Sequence, residues 1–516
     1  MPALSGTRVF LCATARRIGT SARRLSFWEV PCGSAGKIIA LCAALLLGPA
    51  TTVMAANGGA AAPVGVSGAT GASAATGATG ATGTAISPAA VAKLDKTMAS
   101  AMRSIGPHSG AYVFDLDTGQ TLFDDKGSVP RNPASVEKLY TLSTALDLFG
   151  LNGTLQTSVY GVGTLAAGGV WQGNLYLRGG GDPTFGGSAF ITRYYGVGTS
   201  VQALAQQLVA TTHITRVDGS VIGDESYFDS LRGDPASGYQ IDPNLFGELS
   251  ALSFDRGEVG KQGSPPAHAA WELAGALRAL KVTVTGRSHA GTTPTGARLL
   301  TTISSPPMST LATLTATPSD DFFAEMLLKG LGARFGAGGT TAAGAAVVRS
   351  FLAHQQITPV VVDGSGLSRG DLTSPVQVVT LLRDLSPGGV PSLQAVGVAL
   401  RGAMPIDGQT GTLITRMHGT AADGNCIAKT GTLSNASDLA GWCDGRFVFA
   451  LEMNDVNVWS AQAAQDKMTE ALAALDAPAS LGSHSNSVRK ASSSSTGTPS
   501  RSAFSSFEPG ESPASR

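Results

Sequence analysis

The sequence predicts an α/β protein of the α+β kind: an antiparallel sheet flanked by helices and interrupted by a β-rich inserted domain. Helix-and-hairpin patterns stand at both ends of a central stretch, short alternating strands with Gly-rich turns fill its middle, and low-complexity sequence lies on either side. At 516 residues the chain is longer than one ordinary domain. Its 43% hydrophobic and 14% charged residues are enough to bury real cores. The 36 basic and 36 acidic residues cancel, so the basic excess that marks a nucleic-acid binder is missing and no nucleic-acid partner is expected.

Residues 1–55 read as a signal segment. Arg8, Arg16, Arg17, Arg23, Arg24 and Lys37 face one acid, Glu29, and the apolar run IIALCAALLLGPATTVMA (38–55) ends on the small-residue pattern Val53-Met54-Ala55. Gly48 and Pro49 break the run, which suits a signal core better than a membrane anchor. Cleavage near Ala55 removes six basic residues and one acid, leaving 30 basic and 35 acidic and a net charge of −5. The expected location is periplasmic or extracytoplasmic, with peripheral membrane association left open. Residues 56–86, rich in Gly, Ala and Thr, have too little apolar bulk to pack and read as a linker. The last 34 residues, 483–516, hold 13 serines without apolar periodicity and read as a disordered tail.

The folded part is then 87–482. It opens with Ser87 as a cap, Pro88 in the first turn, and Val91, Leu94, Met98 and Met102 at helical spacing. GAYVFDLDTGQTLFDD alternates and turns at Thr118-Gly119, a hairpin. PASVEKLYTLSTALDLFG places apolar residues at 136, 139, 142, 146 and 149 and stops at Gly150, an amphipathic helix. These elements form the first part of one domain, 87–153. Residues 154–304 form the insertion, with one helical stretch, SVQALAQQLVAT. The second part, 305–482, carries three helices, a strand pair (GNCIAKTGTLSNASDLAGWCDGRFVFALEMN) and a closing helix.

Ser135 stands three residues before Lys138 at the start of that first-part helix. Residues i and i+3 share a face, so the Lys138 amine can reach the Ser135 hydroxyl and act as its base if held neutral. In AKTGTL, an edge strand would present Lys429 and Thr430 to a cleft, and Gly431 would let a substrate chain lie against the backbone. Lys429 there can supply a nearby cation and bind a carboxylate. GSGLSRGD forms a tight loop bearing Ser368. Ser-x-x-Lys, a second serine loop and Lys-Thr-Gly in that order form the signature of penicillin-recognising serine enzymes.

The chain resembles the class C low-molecular-mass penicillin-binding proteins, the D-alanyl-D-alanine carboxypeptidase/endopeptidase family related to penicillin-binding protein 4. DLDTG, PASVEKLYT, GGGDPTF, GDESYFD, AEMLLK, DGSGLSR, GTLITRMHGT and AKTGTLSNASDLAGW carry the likeness. The resemblance implies a penicillin-binding transpeptidase-like domain, peptidoglycan stem peptides as substrate, β-lactams as covalent inhibitors, and no cofactor. It assigns Ser135 as nucleophile, Lys138 as base and Ser368 as proton shuttle. Lys429 and Thr430 bind the terminal carboxylate, Gly431 lines the substrate strand, and the N–H groups of Ser135 and Thr432 form the oxyanion hole. The asparagine usual after the second serine is missing: SRGD offers Gly370 and then Asp371, placed as a substrate contact, and SDDFFAE has Asp321 where asparagine is common. The rival functions are a serine β-lactamase or esterase of the same fold and a non-catalytic wall-binding protein. Neither E-x-x-L-N nor Y-x-N, the deacylation elements of efficient β-lactamases, is present.

Other signals carry less. The seven histidines include no i, i+4 pair, so no metal is expected. Glu137 reads as a solvated or helix-start acid. After signal removal only Cys426 and Cys443 remain, and an exported chain with two thiols allows a disulfide. If Lys429 opposes Ala440 across a hairpin, the same register opposes Cys426 and Cys443.

Overall fold

The computed structural model describes residues 86–475, so the signal, most of the linker and the serine-rich tail lie outside it. Helix α1 (Pro88–Ile105) starts where Ser87 accepts the Ala90 N–H, and it buries Leu94, Met98 and Met102. Strands β1 (Ser109–Asp115) and β2 (Gln120–Asp125) form the hairpin, turning at Gly119 with φ +69°. A 3₁₀ turn, Ala134–Glu137, leads into α2 (Lys138–Leu148). Every residue of α2 from Lys138 to Leu146 is buried. It is a core helix enclosed on all sides rather than the amphipathic helix its periodicity suggested.

A mixed sheet follows, built from β3 (Gln156–Ala166), β4 (Val170–Arg178), β5 (Arg216–Asp218), β6 (Val221–Asp224), β7 (Thr283–Val284), β8 (His289–Ala290) and β9 (Arg298–Ser304). β4 pairs parallel with both β5 and β6, while β3 pairs antiparallel with β4 and β9. Three helices accompany it: α3 (Ser188–Tyr194), α4 (Val201–Thr212) and α5 (Pro265–Ala279). The sequence reading found only α4, and the segment is mixed α/β rather than mostly strand. Helix α5 opens with Pro265-Pro266 in its first turn, where a missing N–H costs nothing.

The chain then forms α6 (Met308–Ala316), α7 (Asp321–Phe335), α8 (Thr341–His354), α9 (Pro375–Asp384) and α10 (Gln394–Ala403). It closes with β10 (Cys426–Leu433), β11 (Ala436–Cys443), β12 (Phe447–Asn454) and α11 (Val458–Ala473), three strands where the sequence suggested two. The first sheet is antiparallel with order β10-β11-β12-β1-β2, so β10 is an edge strand. One sheet face packs Phe449, Leu451 and Met453 against α1 and α11; the other packs Trp442, Val448 and Ala450 toward the α2, α7 and α9 side. The catalytic candidates lie on that second side.

Candidate active site

The turn bearing Ser135 is fixed by its neighbours. Ala134 has φ +45°, a left-handed conformation rarely held by a residue with a side chain. A Cβ on Gly366 would meet the Ala134 carbonyl at 1.8 Å, so only glycine allows the 363–371 loop to lie this close. Asn132 ties the loop down by donating to the Ser368 carbonyl (2.9 Å) and the Asp371 carbonyl (3.1 Å). Because the turn is 3₁₀, residues i and i+3 eclipse. Lys138 Nζ, fully buried, lies 2.8 Å from Ser135 Oγ, while Ser135 itself is partly open to solvent. Two acceptors complete the Lys138 environment: Asp321 Oδ1 at 2.5 Å and the Ser365 carbonyl at 2.6 Å.

Lys429, also fully buried, projects from edge strand β10. Its Nζ donates to Ser319 Oγ at 2.7 Å and to the Thr430 carbonyl at 2.9 Å. Burial first, and the nearby Lys138 charge second, push its amine well below the usual lysine range, with Asp321 acting in the opposite sense. Thr430 Oγ1 meets Thr412 Oγ1 at 2.8 Å. A Cβ on Gly431 would come within 2.6 Å of the Pro133 carbonyl, so this glycine lets the strand lie against the catalytic turn. Thr432, the next residue, is exposed.

Two assignments from the sequence are corrected here. Ser368 is buried, its Oγ accepts the Gly370 N–H at 3.1 Å, and the side-chain bonds of Lys138 and Lys429 go elsewhere. The serine bonded to Lys429 is Ser319, and two residues later Asp321 holds Lys138. The sequence carried the signal, since Asp321 was noted where asparagine is common, yet Ser319-Asp320 resembles an ordinary helix start. Asp371 is the second correction. It is fully buried, accepts the Val362 N–H at 2.6 Å, and is pushed up to about 11 by burial and then by Asp363 and Glu137. It braces the loop from inside rather than facing a cleft. Glu137 is likewise no solvated acid: it is fully buried, with neither carboxyl oxygen hydrogen-bonded.

The loop geometry explains what the DGSGLSR stretch does. Asp363 accepts the N–H groups of Ser365, Gly366 and Ser368, and Glu325 of α7 accepts those of Gly364 and Ser365. These bonds aim the Ser365 carbonyl at Lys138. On the sheet, Lys429 opposes Ala440 and Cys426 opposes Cys443, and a disulfide joins the two cysteines. Among the described residues no group of His, Cys, Asp or Glu has metal-binding geometry.

Comparison with known proteins places the chain. The D-Ala-D-Ala carboxypeptidase 3 (S13) family matches residues 90–243 and 247–475, well over half the chain. The chain belongs to this family. Within it, the chain is 29% identical over 457 residues to a D-alanyl-D-alanine carboxypeptidase of Actinomadura sp. (strain R39), covering 71% of this chain and 81% of that one. A carboxypeptidase of Mycobacterium tuberculosis is 28% identical over 380 residues, covering 69% and 78% respectively. Among solved structures, penicillin binding protein 4 of Haemophilus influenzae superposes with a TM-score of 0.60 at 19% identity, covering 73% of this chain and 98% of that one. The fold is therefore the penicillin-binding one, and the S13 chain is a peptidase.

Proposed function

We propose that this S13 chain is a serine D-alanyl-D-alanine carboxypeptidase that cleaves peptidoglycan stem peptides through an ester on Ser135. The observation that carries the reading is the Lys138 environment. A neutral amine has two N–H groups and one lone pair, and its three partners are two acceptors, Asp321 and the Ser365 carbonyl, and one hydroxyl, Ser135. When Lys138 is neutral, its two N–H groups serve those acceptors and its lone pair faces the serine hydroxyl, as a general base requires.

In this reading Lys429 and Thr430 hold the terminal carboxylate and Gly431 lets the peptide lie along β10. The Ser135 Oγ forms a bond to the penultimate D-Ala carbonyl carbon while its proton passes to Lys138. The N–H groups of Ser135 and Thr432 receive the oxyanion, an interaction worth about 2.7–4 kcal/mol per donor. The C–N bond then breaks. The departing D-Ala nitrogen takes a proton from the Ser319 hydroxyl, which is re-protonated from the lysine pair. Water attacks the ester, gives a proton to the same base, and restores Ser135. A β-lactam offers the same carbonyl and carboxylate, so it acylates Ser135 and leaves slowly. The same chemistry on a cross-linked peptide is endopeptidase cleavage, and a purified cross-linked dimer tests for it.

Because peptidoglycan lies outside the cytoplasmic membrane, the reading also places the chain there, with 1–55 as its export segment and 154–304 as an insertion in the peptidase domain. No described helix is long and apolar enough to cross a membrane. The test is intact mass after brief exposure to benzylpenicillin, with peptide mapping and Ser135→Ala as control. A stable adduct on the Ser135 peptide, absent in the variant, supports the reading. Drug hydrolysed without an adduct indicates a β-lactamase, and drug left intact indicates a non-catalytic wall-binding protein.

A further inference from the structure

Arg256 belongs to the 154–304 segment, yet its guanidinium is spent on the turn that carries Ser319 and Asp321. It grips Asp320 with both ends, Nη1 to Oδ2 at 2.7 Å and Nη2 to Oδ1 at 3.1 Å. The remaining donors go to the carbonyls of Leu245 (2.7 Å) and Phe246 (3.0 Å) and to the Tyr195 hydroxyl (3.5 Å), and the guanidinium carbon lies 4.6 Å from the Phe322 ring centroid. Both partners of the ion pair are largely buried. Asp320 stands between the two residues that touch the lysines and also caps α7 by accepting the Phe323 N–H at 3.0 Å. Ser319 has φ +64°, and Asp255 and Arg256 have φ +45° and +64°. Such backbone persists in residues with side chains only where the surroundings over-determine it. The clamp therefore joins two strained segments face to face.

We propose that Arg256 is a positioning residue for the reaction: by clamping Asp320 it holds Ser319 on Lys429 and Asp321 on Lys138, and so couples the inserted segment to the catalytic centre. This rests on the reading above, in which those two lysine contacts serve catalysis. The planar fork of arginine matches the Asp320 carboxylate at two points, which the single ammonium of a lysine cannot do. The clamp also acts through charge. Asp321 is raised by burial, lowered by Lys138 of α2, raised by its neighbour Asp320 and lowered by Lys429 of β10. Asp320 in turn is faced by Arg256 and Tyr195. Removing the guanidinium leaves a bare carboxylate beside Asp321 and pushes it further up. Removing the Asp320 charge does the opposite.

The test uses the full chain with Arg256→Gln, Arg256→Lys and Asp320→Asn, measuring kcat and KM on a D-Ala-D-Ala peptide and the pH profile of benzylpenicillin acylation. Melting curves check the fold. The expected result for Arg256→Gln is a kcat lower by roughly 10- to 100-fold with KM little changed, the pattern of misplaced reacting groups. The acid limb of the profile moves up in Arg256→Gln and down in Asp320→Asn. Asparagine still caps a helix, so Asp320→Asn remains informative if Arg256→Gln fails to fold. Arg256→Lys recovers part of the limb position and little of kcat. A folded Arg256→Gln with wild-type kcat, or limbs that move the same way or not at all in the two variants, overturns the proposal. The underlying reading fails separately, if Ser135→Ala still forms the adduct; an inert Ser135→Ala beside an unimpaired Arg256→Gln sinks only the clamp.

Discussion

Replacing Ser319 with alanine should disable this enzyme, and replacing Ser368 should not. The Ser319 hydroxyl is the side-chain acceptor for Lys429 at 2.7 Å and stands two residues from the carboxylate that holds Lys138. Alanine there leaves the buried Lys429 amine with the Thr430 carbonyl alone and removes the hydroxyl that the proposed mechanism uses to protonate the leaving nitrogen. A positioned proton donor contributes about 10²–10⁴-fold, so kcat/KM should fall by that factor, or roughly 2.7–5.4 kcal/mol of barrier. Ser368 Oγ makes one contact in the described structure, accepting the Gly370 N–H at 3.1 Å. Its loss costs about 1 kcal/mol of stability, and activity should stay within about threefold. The assay is release of D-Ala from a stem-peptide analogue, paired with the second-order rate of benzylpenicillin acylation. A Ser368→Ala variant crippled a hundredfold beside a near-normal Ser319→Ala would refute the reasoning and restore the order-based assignment of the second serine.

Asp371→Asn should leave the protein as stable or more so at pH 8, because asparagine keeps the acceptor for the Val362 N–H, keeps a donor toward Asp363 that the carboxyl has only when protonated, and needs no proton uptake on folding. The wild-type carboxyl is pushed up to about 11. A raised folded value means that its stabilising contribution is complete below the unfolded value near 4 and declines as pH rises toward 11. The melting midpoint should therefore fall between pH 5 and pH 9 in the wild type and fall less steeply in the variant; equal slopes would count against this account. Reducing the Cys426–Cys443 disulfide should add 2 Da to the intact mass and cost on the order of 3 kcal/mol for its 17-residue separation, read as a lower melting midpoint. Peptidase activity at 25 °C should persist, because eight paired positions hold β10 against β11 without the bond.

What could be read in the sequence is what local geometry dictates. Ser135 and Lys138 were legible because a three-residue spacing puts two side chains together in α-helix and 3₁₀ turn alike. The register of β10 on β11 followed from one assumed pair, since antiparallel partners share a constant index sum. Ser319 was not legible, because its contact to Lys429 depends on a left-handed backbone that neither spacing nor periodicity signals. Ser368 was chosen instead for its Gly-rich surroundings. Those glycines serve close packing: Gly366 admits the Ala134 carbonyl, and what the loop gives the site is the Ser365 carbonyl. Asp371 and Glu137 were misjudged for a related reason, since charge in a sequence suggests solvent and only the packed structure shows carboxyls turned inward.

Those inward carboxyls bear on how two buried lysines can work side by side. Glu137, Glu325, Asp371, Asp438 and Glu452 are all fully buried behind the catalytic turn, and burial pushes each of them up. Neutral acids in such a floor add no counter-charge, whereas ionised ones would favour the ammonium form of any nearby lysine. An ammonium cannot accept the Ser135 proton. Asp321 is the carboxylate that touches Lys138, and it lies at the partly open mouth rather than in the floor. The floor sets one acid apart, Asp363, which accepts three backbone N–H groups and whose charge helps to push Glu137, Glu325 and Asp371 up. The price is a protein whose floor resists losing protons, so high pH should weaken the fold at the very turn that carries Ser135.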